Sequence, residues 1–133
     1  METTGALYNW HAINTGKLAP KGWHVPTDKE WSILADFLGG ETVAGGKMKT
    51  TDIRSWPSPN TGAANSSGFT ALYSSFRGKG GFIPSNNGTL LLWSSTAYDD
   101  LDAWARYLRF DSEALGRNHG GKYHGFSVRC LKD

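Results

Sequence analysis

Nine aromatic and polar residues crowd the last third of the chain: Tyr98, Asp99, Asp100, Asp102, Tyr107, Asn118, His119, Tyr123 and His124. Such side chains serve acid–base, nucleophilic or metal chemistry only when partners stand at set spacings, and those partners are missing from the sequence. Asp99-Asp100-Leu101-Asp102 lacks the alternating ligand pattern of a calcium loop. His119 and His124 have no clear third ligand. His24 has no second His or Cys at metal spacing, so a structural hydrogen bond is expected of it. Ser94 and Ser95 have no base nearby in sequence. Cys130 lies in the apolar run Phe126 to Leu131 and reads as a small buried hydrophobe. Recognition remains, because rigid aromatics give contact area and short polar groups give adaptable hydrogen bonds. Tyr98, Tyr107 and Tyr123 are the expected anchors. No catalytic residue, metal or cofactor is assigned.

A display of this kind needs a frame. The chain has 133 residues, which fits a single domain, 1–133, around one core. Hydrophobic residues make up 38% and charged residues 20%, a balance that favours a folded, loop-rich domain over a disordered chain. Net charge is +2 and the basic residues are scattered, so no nucleic-acid partner is expected. No apolar stretch approaches the roughly 20 residues of a membrane helix, so no membrane insertion is expected either. One cysteine excludes an internal disulfide. Met1-Glu2-Thr3-Thr4 has neither the basic nor the apolar region of a secretion signal, as in an excised domain. Six Trp supply the burial that a short chain needs, so a core role outweighs sugar stacking for most of them.

Local patterns place the elements. Leu7, Tyr8, Trp10 and Ala12 alternate with smaller or polar neighbours, predicting a first strand. Thr27-Asp28-Lys29-Glu30 is a capping box, followed by Trp31, Leu34, Ala35 and Leu38 at helical spacing and by the stop Gly39-Gly40. A second short helix spans 41–49, weakened by Gly45-Gly46. Residues 50–67 form a long loop, with Trp56 tucked onto the core. Residues 68–72 are extended and 77–81 a turn. Residues 89–95 form a central strand, 103–110 a half-buried strand, 112–121 a loop and 125–131 a final strand. In 103–110, Trp104, Arg106, Leu108 and Phe110 face inward, while Ala105, Tyr107 and Arg109 face outward. Arg106 and Arg129 sit among apolar neighbours, so salt bridges are expected for both.

Ordered motifs then run along nearly the whole chain. They are Tyr8-Asn9-Trp10, Gly22-Trp23-His24-Val25-Pro26-Thr27, Glu30-Trp31, Leu38-Gly39-Gly40, Ala44-Gly45-Gly46-Lys47-Met48-Lys49, Ser67-Gly68-Phe69, Trp93-Ser94-Ser95 and Gly125-Phe126-Ser127-Val128-Arg129-Cys130. This set resembles the Fibrobacter succinogenes major paralogous domain, a relative of the formylglycine-generating-enzyme-like branch of the C-type lectin fold. Residues 93–130 also resemble the variable region of proteins diversified by retroelements, in which adenines of chosen codons are rewritten. Leu101, Ala105, Arg109 and Asp111 join the nine residues above as products compatible with such rewriting.

The resemblance implies an α+β, C-type-lectin-like fold with a small antiparallel sheet, two helices and long loops. It implies a receptor-type domain that binds a protein or glycan on a cell surface, itself placed at a bacterial surface or on a phage tail. The alternative is a non-diversified bacterial surface lipoprotein module with a structural or carbohydrate-binding role. A formylglycine-generating oxidase is the third class. Those relatives use paired active-site cysteines, and a chain with Cys130 alone is expected not to be an enzyme.

Overall fold

The computed structural model describes residues 5–83 and 88–133 of an α+β protein. Met1 to Thr4, read above for a secretion signal, lie outside the described residues. In chain order the elements are α1 (Trp10–Asn14), β1 (Trp23–His24), α2 (Asp28–Phe37), α3 (Glu41–Met48), β2 (Phe76–Gly78), β3 (Gly81–Ile83), β4 (Thr89–Ala97), β5 (Asp102–Arg109), β6 (Gly116–Gly121) and β7 (Leu131–Lys132).

β4, β5 and β6 form an antiparallel sheet in that order. Both of its faces are covered. Leu90, Leu92 and Leu108 lie on one face and join Trp31, Ala35, Leu38, Ala44, Met48, Trp56 and Ala71. Trp93, Ala103 and Ala105 lie on the other and join Trp10, Ile13, Val25 and Phe126. Strand alternation assigns each residue to its layer. Arg106 shares the helical layer and is fully buried. Its guanidinium donates to Glu41 Oε1 at 2.7 Å and to Ser32 Oγ at 2.9 Å, and Asp28 Oδ1 stands 3.6 Å away. The expected pairing of Arg106 therefore ties β5 to both long helices.

α2 forms as its local signals dictate. The Thr27 hydroxyl accepts from Glu30 N–H at 3.1 Å, and Glu30 Oε2 accepts from Thr27 N–H at 2.8 Å. Gly39 and Gly40 end the helix at φ of +104° and +105°, a region that side chains strongly disfavour. α3 carries Gly45-Gly46 for a tertiary reason. A Cβ on Gly45 would stand 2.1 Å from the Ala114 carbonyl oxygen, and one on Gly46 would stand 2.4 Å from that of Gly62. Lys49 follows directly. Its buried ammonium donates to the carbonyls of Thr61, Arg109 and Ser112 at 2.8 to 2.9 Å, pinning the loop 50–67 to the end of β5.

Several expectations are corrected. The first strand is a helix, α1, because the Asn9 side chain accepts from Ala12 N–H and caps it; only Tyr8 keeps an extended bridge, to Phe126. The central strand is β5, with β4 beside it. Residues 77–81 belong to a hairpin, β2–β3. Residues 116–121 form β6, although 112–121 reads as a loop. The closing strand is broken: Gly125, Phe126 and Ser127 bridge three different segments before β7 pairs with β1. Among the described residues Arg129 has no carboxylate partner; it donates to the Phe69 carbonyl at 2.9 Å and lies 4.2 Å over the Phe69 ring.

Candidate ligand-binding surface

β5 and β6 meet at an end where two turns converge. The first links β4 to β5. In it Asp99 Oδ1 accepts from Leu101 N–H at 2.8 Å and Asp102 N–H at 2.7 Å. These two donors, that of Asp102 first, hold the Asp99 carboxyl below its usual range. The second turn follows β6 and carries Tyr123 and His124. Lys122 laces the turns together: its N–H donates to the Leu101 carbonyl at 2.9 Å, and its ammonium donates to the carbonyls of Asp99 and Asp100 at 2.7 and 3.1 Å. The same ammonium lies 4.7 Å over the Trp10 ring.

An aromatic cluster stands beside these turns. His119 pairs across the ladder with Trp104. The Tyr98 and His119 rings stack at 3.9 Å with planes 5° apart, and both meet Trp104 edge-on. Asp102 Oδ2 lies 2.6 Å from His119 Nδ1 and fixes the ring. Arg117 covers a Trp104 face at 3.5 Å and grips Asp28 with two nitrogens at 2.8 and 3.1 Å. A planar guanidinium suits stacking and bidentate pairing at once. This end presents large side chains to solvent, with Tyr98 49%, Leu101 76% and Tyr123 58% exposed.

The structure thus brings Tyr98, Asp99, Asp100, Leu101, Asp102, His119, Tyr123 and His124 to one end. Asn118 is exposed on β6 but pairs with Ala105, on the opposite face of the strand from His119. His124 is half-buried, stacked against Phe126 at 5.6 Å. Tyr107, Arg109 and Asp111 stand apart: Asp102 and Arg109 are seven strand steps from one another, about 23 Å. At that far end Arg109 and Asp111 pair at 2.9 Å, and the Tyr107 ring lies across Gly116, where a Cβ would fall 2.1 Å from it.

Ala105 is corrected outright. Only 4% exposed, it packs in the layer of Trp93 and Phe126, because the outward face of β5 is itself covered there. Trp104 is corrected in the other direction, being half-buried at the surface cluster rather than in either core layer. Arg117 escaped sequence reasoning altogether. Its partners are Asp28, far off in sequence, and Trp104, which only the strand pairing reveals.

The family described as the Fibrobacter succinogenes major domain matches residues 1–132. The chain belongs to that family. No curated protein and no solved structure matches it. In this Fibrobacter succinogenes major domain, the quoted motifs are mostly frame. Trp10 donates to the Ser94 carbonyl, Trp31 to that of Trp93, Trp56 to that of Ala71 and Trp93 to that of Tyr8. His24 spans Asp133 at 2.6 Å and Glu30 at 2.9 Å. These two carboxylates, Asp133 first, raise its value above the ordinary 6.5.

Proposed function

We propose that the domain is a receptor-type, ligand-binding module of a retroelement-diversified variable protein, with a C-type-lectin-like fold of the formylglycine-generating-enzyme-like branch. The observation that carries this reading is the laced pair of turns. Tyr98, Leu101 and Tyr123 stand largely in solvent there, on backbone fixed by Lys122 and beside the Tyr98–His119–Trp104 cluster. Exposed aromatics on a rigid base are the usual anchors of a recognition surface. The target is a protein or glycan of a cell surface, and the protein acts from a bacterial surface or a phage tail. Formylglycine-generating oxidation is not its role, since its single cysteine cannot supply a cysteine pair.

The deciding experiment is to sequence the genes flanking this one. A reverse transcriptase is expected, together with a near-copy of the 93–130 coding region differing mainly at adenines. The differing codons should include those for Tyr98, Leu101 and Tyr123. Differences falling on Trp93, Leu108 and Phe126 would sink the diversified reading. The non-diversified surface module would then stand.

A further inference from the structure

A cleft of about 310 Å³ opens between residues 69–74 and residues 127–129. Leu90 and Leu92 of β4 line it, with Phe69, Ala71, Leu72 and Val128 around them. A volume of that order suits a small ligand with an apolar body. Three polar side chains break the apolar lining, Ser74, Ser127 and Arg129, and of these Ser74 already donates to the Ser75 carbonyl at 3.3 Å. Ser127 is only 7% exposed, and its hydroxyl has no hydrogen-bond partner among the described residues. Buried hydroxyls are ordinarily satisfied, so an orphan lining a cleft marks where a ligand oxygen belongs. Arg129 stands two residues on and lines the same cleft.

Arg129 is the more telling group. A guanidinium carries five N–H donors, and among the described residues this one makes a single hydrogen bond, to the Phe69 carbonyl. It is held over the Phe69 ring, and no carboxylate approaches it among the described residues. The residue is exposed overall, and the partial burial of its guanidinium lowers its value from the ordinary arginine range. Arg54, Arg106, Arg109 and Arg117, by contrast, all pair with carboxylates.

We propose that this cleft is a second binding site, for a small amphipathic carboxylate whose apolar body lies on Leu90, Leu92 and Val128 and whose head group meets Arg129 and the Ser127 hydroxyl. Arg129 supplies a planar fork for the two carboxylate oxygens, and Ser127 supplies a hydroxyl donor. The site shares no residue with the laced turns, so it stands whether or not those turns bind a target.

Hexanoate and hexanol, titrated into the 15N-labelled domain, test this directly. Hexanoate is expected to give saturable amide shifts at Ala71, Leu72, Ser127 and Val128, with hexanol at least about tenfold weaker. Arg129→Met should abolish the preference for the carboxylate, and Ser127→Ala should weaken hexanoate alone. If Arg129→Met does not fold, Arg129→Lys keeps the charge without the fork and should give a preference between the two. Equal binding of hexanoate and hexanol to the unaltered domain would overturn the proposal. So would shifts confined to Leu34 and Cys130, which line a separate cleft of about 250 Å³ on the other side of Phe69 and Arg129, and so would no shift at all.

Discussion

Lys49 shows how a single side chain can hold a loop without any loop sequence of its own. Burial lowers its value from the ordinary lysine range, and Asp111 and Glu113 only partly oppose that. Three carbonyls nevertheless accept from the ammonium, so the cation is satisfied. Lys49→Met keeps the length and leaves those carbonyls without a donor. Urea unfolding should show a loss of about 3 kcal/mol; a loss below about 1 kcal/mol would contradict this account. His24 gives a residue-scale pH dependence. Its folded value is raised, so protonation is tighter in the folded state. The stabilisation is complete below the unfolded value, near 6.5, and is lost as pH rises through the folded value. Urea midpoints across the neutral range should fall with pH in the unaltered protein, and His24→Gln should remove that part of the slope. An unchanged slope in the variant would rule His24 out as its source.

At the scale of elements, α3 sets propensity against packing. Alanine is a better helix former than glycine by about 1 kcal/mol. The Gly45 Cβ position nevertheless lies 2.1 Å from backbone, and backbone cannot step aside as a side-chain tip can. Gly45→Ala should therefore lose about 2 kcal/mol or more in thermal unfolding. A gain would mean that the Ala114 segment moves freely. The contrast between elements also explains what could be read in advance. α2 was legible because its cap, apolar stripe and glycine stop all lie within 14 residues of sequence. α1 was not, since Tyr8-Asn9-Trp10 suits either a strand or a capped helix, and the Asn9 side chain decides between them. β6 was hidden because Gly-Arg-Asn-His-Gly-Gly has no apolar alternation; its ladder to β5 makes it a strand. The acidic turn and its aromatics were legible by type. Ala105 was misplaced, because one strand's alternation cannot show that both faces of the sheet are covered.

Across the whole molecule, the chain closes on itself. Tyr8 and Phe126 exchange backbone hydrogen bonds at 2.9 and 3.0 Å, Trp10 N–H donates to the Lys122 carbonyl, and β1 pairs with β7. Early and late segments thus share one layer of the core. Removal of residues 125–133 should abolish cooperative unfolding rather than merely lower the midpoint, because Trp10, Trp93 and Ala105 lose Phe126 together. A truncated chain that still melts in one sharp transition would contradict this. With so many distant pairings, folding of the intact chain should fall in the millisecond-to-second range typical of non-local topologies, measurable by stopped-flow tryptophan fluorescence.

Lys122 does one thing more. It grips the turn through the carbonyls of Asp99, Asp100 and Leu101, atoms that every amino acid carries. The clasp is therefore blind to the identity of the side chains it holds in place. Substitutions at positions 100 and 101 leave all three of these hydrogen bonds available, so side chains there can change while the loop keeps its outline. On the receptor reading proposed above, new specificities would be searched at these positions with the rest of the protein untouched.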